Sequence, residues 1–232
     1  MSETILLLPG LLCDARLWRD TLAAFPNAVV ADLTQDSSVD AMAARALSHM
    51  PGRFALCGLS MGGYVAHAVM RLAPERVTRL CLMDTSARPD TPDQARRRRG
   101  LMAMTRGNRF RGVTPRLLPQ LLHPDHLTNT ELCQDVLDMA ERVGRDAFLR
   151  QQEAILTRPD SRPDLARISV PTFIAAGEAD ILTPPDLARE MADLVPQARL
   201  HILPNCAHLP PMEQPADTNA MLRDWLSSGS AV

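Results

Sequence analysis

Cys57-Gly58-Leu59-Ser60-Met61-Gly62-Gly63 is the stretch that decides the fold, because it joins a predicted strand to a predicted helix. Residues 53–58 have the compact apolar composition of a buried strand, and residues 61–72 carry apolar side chains at helical spacing. The stretch fits the pattern G-x-S-x-G, in which a strained turn holds a serine at the edge of a sheet. A Cβ at Gly58 or Gly62 would collide with a neighbouring strand or helix, so both positions require glycine.

The rest of the chain alternates between short apolar runs and helical segments. Predicted strands are Thr4 to Leu8, Ala28 to Leu33, Arg53 to Gly58, Val77 to Met83, Val170 to Ala176 and Arg199 to Leu203. Predicted helices are Arg16 to Phe25, Val39 to Met50, Met61 to Leu72, Pro185 to Val195 and Ala216 to Leu226. This alternation is typical of the α/β class, with a mainly parallel sheet flanked by helices. We expect the tail from Ser227 to Val232 to be frayed.

The strand pattern is missing between Ala87 and about Arg167. This stretch is rich in arginine, proline, leucine and methionine, and its apolar residues recur at helical spacing from Leu132 to Val143. We predict a helical insertion at residues 87–167 in a single domain of 232 residues, whose core comprises residues 1–86 and 168–232.

Composition and charge exclude several classes of protein. All 25 basic residues are arginine and the formal net charge is -2, so no positive field attracts nucleic acid. The N-terminus has no basic segment before the short apolar run Ile5 to Leu8, and no stretch approaches the roughly 20 apolar residues of a membrane span. We expect a cytoplasmic protein that binds neither membranes nor nucleic acid.

The cysteines and most histidines predict no metal site. The five cysteines, at 13, 57, 81, 133 and 206, are odd in number and lack CxxC spacing, which favours reduced, buried thiols over disulfides or a zinc site. His123-Pro124-Asp125-His126 superficially resembles a pair of metal ligands, but nothing else in the sequence supports one. We therefore expect neither a metal nor a cofactor.

A serine hydroxyl needs a base before it can act as a nucleophile, and His208 is the candidate. His49 and His67 lie in predicted helices, His123 and His126 in the insertion, and His201 in a strand. His208 alone lies in a loop just after the last predicted strand, within the breaker-rich run from Leu203 to Pro210. That loop would let the imidazole reach back over the sheet edge to Ser60.

An acid is needed to orient the histidine, and three carboxyl groups compete for that role. Asp180 follows the strand before the last one and precedes His208 by 28 residues. It is the preferred candidate because a short carboxylate there can accept the imidazole N–H and fix the tautomer. Asp84, at the end of the preceding strand, is the second candidate, and Glu178 is the third.

Two backbone amides are candidates for an oxyanion hole. One is the N–H of Met61, directly after the serine, and the other is the N–H of Leu11 in the loop after the first strand. Gly10 permits a close backbone turn there, which would aim the Leu11 amide at the site.

Together, Leu8-Pro9-Gly10, Gly58 to Gly63, Gly177 to Asp180 and Cys206 to His208 resemble the α/β-hydrolase superfamily. The chain is similar to its small capped branch of carboxylesterases, enol-lactonases and carbon-carbon bond hydrolases. Pro9 stands where many relatives have histidine, so any contribution of that histidine is missing. The chain starts with what resembles their third strand, which implies a sheet of about six strands. Ser60 argues against dehalogenases with an aspartate nucleophile.

The resemblance implies a serine hydrolase with Ser60 as nucleophile, His208 as base and Asp180 as acid, acting on a small or medium carboxylic ester. Alternatives are an enol-lactonase or a hydrolase of carbon-carbon bonds in β-diketones, a cofactor-free perhydrolase, and a ligand-binding protein without turnover. The partner would be a small-molecule ester or lactone, and the protein a monomer or a homodimer.

The insertion would then form a cap over the site. Its residues Met102, Met104, Leu117, Leu118, Leu121 and Leu122 either line the substrate pocket or pack in the interior of the cap. The run Arg96 to Arg99 either attracts an acidic substrate or partner, or forms a solvated helix face.

Overall fold

The computed structural model describes residues 3–107 and 110–228. In these residues six strands form one parallel sheet. They are β1 (Ile5–Leu8), β2 (Ala28–Val30), β3 (Phe54–Leu59), β4 (Val77–Met83), β5 (Thr172–Gly177) and β6 (Arg199–Leu203), in the spatial order β2-β1-β3-β4-β5-β6. The predicted α/β fold with a parallel, six-stranded sheet is confirmed.

Helices follow most of the strands. They are α1 (Arg19–Ala24), α2 (Val39–His49), α3 (Met61–Leu72), α4 (Pro92–Gly107), α5 (Thr130–Leu156), α6 (Arg162–Leu165), α7 (Pro185–Leu194), α8 (Pro210–Glu213) and α9 (Pro215–Ser227). Short 3-10 helices lie at Ala15–Trp18, Pro74–Arg76, Pro115–Gln120 and Pro124–His126. The backbone of α5 is interrupted at Gly144, whose φ is 79°. Within the described part of the chain, no helix combines the length and the apolar character that crossing a membrane requires.

Both faces of the sheet are buried. In β1 the side chain of Leu6 packs on one face, in a cluster with residues of α2, α3 and α7, whereas Leu7 packs on the other. That second face is covered by Trp18, from the first 3-10 helix, and by Trp225 of α9. Because both faces are covered, the inner strands β1, β3 and β5 are buried along their whole length and do not alternate between apolar and polar residues.

The sequence predicted α3, β4 and β6 with their observed bounds. It was wrong at β2, which ends at Val30 instead of Leu33, because Asp32 accepts the amide and the hydroxyl of Thr34 and turns the chain. The helix predicted from Arg16 to Phe25 is divided into a 3-10 turn and α1. At the C-terminus, Ser227 still belongs to α9, and residues 229–232 of the predicted tail lie outside the described residues.

The turn between β3 and α3 depends on close backbone contacts. A Cβ at Gly62 would overlap the carbonyl oxygen of Leu8 in β1, and one at Gly58 would overlap the carbonyl group of Gly62. Ser60 lies between them with φ 54° and ψ -117°, outside the regions that side chains prefer. The predicted need for glycine on both sides of a strained serine is confirmed.

Gly62→Ala should therefore destabilise the protein by about 3 kcal/mol or more, because β1 and α3 must separate to admit the methyl group. Gly100→Ala is the matched control, since a Cβ at that position in α4 meets no atom within 4 Å. It should stabilise the protein by about 0.5–1 kcal/mol through helix propensity. Urea denaturation of both variants measures the two effects, and equal stabilities would contradict the packing argument.

Candidate active site

Ser60 occupies the turn at the carboxyl end of β3. Its backbone N–H donates to the carbonyl of Met83 at 3.0 Å, which fixes the turn to the end of β4. Its own carbonyl accepts the hydroxyl of Thr85 at 2.7 Å. These two bonds hold the strained backbone in place and leave the side-chain hydroxyl free to point away from the sheet.

His208 lies in the loop after β6, 148 residues beyond Ser60 in the chain. Its Nε2 atom is 2.9 Å from the Oγ atom of Ser60. The backbone N–H of His208 donates to the carbonyl of Leu121 at 3.1 Å, so this loop is also attached to the segment between β4 and β5. The histidine itself is only 5% exposed.

Asp180 lies in the loop after β5, with its Oδ2 atom 2.8 Å from Nδ1 of His208. A carboxylate can only accept, so Nδ1 carries the proton and Nε2 of the neutral ring accepts from the Ser60 hydroxyl. The hydroxyl of Thr183 donates to the same Oδ2 at 2.6 Å, and the amide of Leu182 donates to Oδ1 at 2.8 Å. The carboxylate is thus held in one orientation by its own loop.

The charge of Asp180 is stabilised in place. Burial alone would raise the pKa of this carboxyl, but the adjacent imidazole, the Thr183 hydroxyl and the Leu182 amide lower its pKa to about 2. Asp180 is therefore ionised at neutral pH, and it can stabilise a positive charge on His208.

The competing carboxyl groups make no hydrogen bond to the histidine. Glu178 has an exposed side chain. Asp84 is fully buried at the end of β4 and accepts the amide of Gly177 at 2.8 Å through Oδ1. Its Oδ2 atom is buried without a hydrogen-bond partner among the described residues. It lies near the site nonetheless, because polar atoms of Asp84, Asp180 and His208 all fall within 4.8 Å of one another.

The pKa values of Asp84 and Asp180 are shifted in opposite directions. Burial, and next the charge of Asp180, raises the pKa of Asp84 well above its ordinary value, and the single Gly177 amide only partly offsets these effects. Two like charges this close in a desolvated site are unfavourable, and Asp180 has more hydrogen-bond donors around it than Asp84. The surroundings therefore favour the charged form of Asp180 and disfavour that of Asp84.

The two candidate oxyanion amides come from the loop after β1 and from the first residue of α3. The amide of Cys13 donates to the carbonyl of Gly10, which closes a turn with Leu12 at a φ of 58°. The Leu12 amide donates to the buried Gln151 side chain of α5, whereas the turn does not use the Leu11 amide. Met61 is the first residue of α3, so its N–H is one of those that a helix leaves unpaired.

Sequence reasoning missed Glu213, whose buried side chain fixes the histidine loop. Its Oε1 atom accepts the amides of Ala207 and Leu209, on either side of His208, at 2.9 and 3.2 Å. Its Oε2 atom accepts the amide of His123 at 2.6 Å and lies 3.0 Å from Nδ1 of His126. A glutamate in the run Pro210 to Pro215 gave no periodic or motif signal of this role.

The other histidines lie away from Ser60 or have structural contacts. His67 is buried in α3, and burial lowers its pKa to about 4. His201 stacks on Phe173 with ring centroids 4.6 Å apart. Four of the five cysteines are buried as expected, and Cys133 is half-buried.

A cavity of about 930 Å³ opens beside Ser60 and His208. Gly10 and Leu11 form part of its wall, and side chains from the segment between β4 and β5 form much of the rest. Three of the six apolar residues named from the sequence line this cavity, namely Met104, Leu117 and Leu121. The other three, Met102, Leu118 and Leu122, are buried in the interior instead.

Comparison with known proteins gives relatives with the same overall architecture. The pimeloyl-[acyl-carrier protein] methyl ester esterase of Nitrosomonas europaea is 30% identical over 190 residues, which make up 75% of this chain and 71% of that protein. A thermophilic esterase from Thermogutta terrifontis has a TM-score of 0.88 and 29% identity, over 97% of this chain and 90% of the other.

An enol-lactonase from Burkholderia xenovorans has a TM-score of 0.87 over 98% of this chain and 92% of its own, but at 22% identity this likeness concerns the fold alone. The model of the α/β hydrolase fold family matches residues 9–215. With a match over that length, the chain belongs to the α/β hydrolase fold family.

Proposed function

We propose that the protein is a serine esterase that hydrolyses carboxylic esters through an acyl-serine intermediate. The observation that carries this proposal is the unbroken chain of hydrogen bonds from Ser60 Oγ through the His208 ring to Asp180. The two relatives that bear the name esterase support it, at 30% and 29% identity.

In the first step Nε2 of His208 takes the proton from Ser60, and the freed Oγ attacks the ester carbonyl. The charge that forms on the ring is stabilised by Asp180, which is already ionised. The imidazolium then donates its proton to the leaving alcohol, and the acyl group stays on Ser60. A water molecule activated by the same ring releases the acid and restores the serine.

The tetrahedral intermediate carries a negative charge on the former carbonyl oxygen. We assign its stabilisation to the amides of Leu11 and Met61, one from the loop after β1 and one from the first turn of α3. Gln151 accepts the neighbouring Leu12 amide, and through this bond α5 fixes the loop that presents the Leu11 N–H. Neither amide needs to move when the charge forms.

We assign residues 87–167 to a cap and residues 1–86 and 168–232 to the core that carries the catalytic groups. The cavity between them, at about 930 Å³, exceeds what a short acyl group fills. Its apolar lining from Met104, Leu117 and Leu121 suits an alkyl chain of medium length.

A fluorophosphonate probe should label the wild-type protein at Ser60, because an activated hydroxyl attacks phosphorus as it attacks a carbonyl. Ser60→Ala should abolish the labelling. Ser86→Ala is the matched control, since it removes another buried hydroxyl, one that accepts the Arg88 amide, and should leave labelling intact. Mass spectrometry of the labelled peptide identifies the site, and a folded wild-type protein that stays unlabelled would refute the proposal.

Asp180→Asn should lower kcat/KM for a p-nitrophenyl ester by about a thousandfold to ten-thousandfold, because an amide favours the wrong tautomer of His208. Asp84→Asn should change it by less than about fivefold, since asparagine is neutral like the protonated carboxyl and can still accept the Gly177 amide. Steady-state kinetics of both variants distinguish the two carboxyl groups. A larger loss in Asp84→Asn would reverse our assignment.

Assays of the wild type with p-nitrophenyl esters, lactones and β-diketones distinguish an esterase from a lactonase or a carbon-carbon hydrolase.

The same two substitutions should change stability with opposite dependence on pH. Above pH 3.8 the unfolded chain releases a proton that the folded protein keeps on Asp84, so this group lowers stability as the pH rises. Asp84→Asn should raise the melting temperature by a few degrees at about pH 8 and by less at about pH 4. Asp180 stabilises the fold above pH 3.8 and loses this effect as the pH falls toward about 2. Asp180→Asn should therefore lower the melting temperature most at neutral pH and least in acid. If the change in melting temperature had the same pH dependence in both variants, both assignments would be contradicted.

A further inference from the structure

Every side chain with a permanent charge in the described wall of the cavity is positive. His208 also lines the cavity, but its ring is charged only when protonated. Arg97, Arg98 and Arg111 belong to its wall, and no aspartate or glutamate among the described residues does. Most of the remaining wall is apolar, and it includes Leu101 and Phe110 close in sequence to the arginines. An apolar cavity with positive charges and no acidic residue in its described wall suits a ligand that combines a hydrocarbon chain with a negative group.

Arg98 is held rigidly in this wall. Its Nε atom donates to Oδ2 of Asp90 at 2.8 Å, and its Nη1 atom donates to Oε1 of Gln152 at 2.5 Å. The other oxygen of Asp90 accepts from Arg158 at 2.7 Å. Two guanidinium groups therefore share one carboxylate, so the cluster keeps one positive charge.

Two further groups in the wall have hydrogen-bond donors without acceptors. The Gln152 side chain is only 2% exposed, and its oxygen is used by Arg98. Its amide nitrogen makes no hydrogen bond to the rest of the described chain, although the residue lines the cavity. Arg97 is an exposed residue at the cavity wall, and it has no ion pair or hydrogen bond to any described residue. An acceptor on a ligand can therefore bond these donors without displacing a protein partner.

We infer that Arg97, Arg98 and Gln152 bind a carboxylate of the substrate, so that the preferred substrates are half-esters of dicarboxylic acids with an apolar chain between the two ends. This inference rests on the proposed esterase function, which places the ester carbonyl at Ser60. The Arg97 guanidinium has no protein partner and can present parallel N–H groups to a carboxylate, whereas Arg98, bonded to Asp90 and Gln152, supplies a fixed positive charge beside it. The Gln152 amide adds a further donor.

The four consecutive arginines of α4, Arg96 to Arg99, therefore have different surroundings. Arg97 and Arg98 line the cavity, and Leu101 follows Arg97 on the same face one turn later. Arg96 pairs with Asp93 on the exposed side of the helix, and Arg99 is exposed and does not belong to the wall. Arg99 therefore offers a control with the same charge on the same helix.

Binding to the Ser60→Ala variant tests the inference without turnover. Monomethyl suberate and methyl octanoate have acyl chains of eight carbons and differ in one carboxylate. Isothermal titration calorimetry should show that the half-ester binds at least about tenfold more tightly, with an advantage that declines at high salt. Arg97→Gln and Gln152→Leu, each added to Ser60→Ala, should weaken binding of the half-ester by about fivefold or more and leave methyl octanoate within about twofold. Arg99→Gln should change neither.

Equal affinity for the two esters, or a preference that survives Arg97→Gln and Gln152→Leu together, would overturn the inference. Turnover then distinguishes this failure from that of the proposed function. If the wild type hydrolyses methyl octanoate but gains nothing from the carboxylate, the esterase proposal stands and the anion site does not. If the half-ester binds as expected while neither ester is hydrolysed, the anion site stands and the esterase proposal does not.

Discussion

The hydrogen bond between His208 and Ser60 depends on one constraint, which is that β3, β5 and β6 are parallel and end at the same edge of the sheet. Each strand then releases its chain into a loop at that edge, and residues 148 positions apart meet there. The constraint is satisfied only because α3 starts directly against β1, where Gly62 lies under the carbonyl group of Leu8. A single methyl group at this contact would separate the elements whose ends form the site.

The surroundings of three buried carboxyl groups decide what each one does. Asp180 has donors from its own loop and from the histidine, so its charge is stable. Asp84, within a few ångströms of it, has one amide donor, and burial beside Asp180 raises its pKa. Glu213 receives amides on both sides of His208 and bonds from the segment between β4 and β5, so it joins the histidine loop to that segment. The same functional group thus bonds an imidazole, fills a buried position and fixes a loop.

The sequence was sufficient for the sheet and for the strained turn, since both leave local signals. Strand β4 and helix α3 were predicted with their observed bounds because apolar periodicity and turn residues mark their ends. Sequence could only rank Asp84, Asp180 and Glu178 as candidates for the acid, because the choice depends on contacts with residues distant in the chain, such as Gly177 for Asp84 and His208 for Asp180. The structural roles of Glu213 and Gln151 were missed for the same reason. Which arginines of α4 line the cavity depends on how that helix packs, which the sequence does not show.

Helix α5 connects the two ends of the proposed substrate site through adjacent residues. Gln151 accepts the Leu12 amide beside the proposed oxyanion donor Leu11, and it also donates to the carbonyl of Leu33. Gln152 accepts from Arg98 in the cavity wall. Because both glutamines are buried on one rigid turn, the loop that would face the ester and the wall that would face the carboxylate keep a fixed separation. A substrate that reaches both must then have a chain of matching length, so length selection follows from the packing of one helix rather than from the triad.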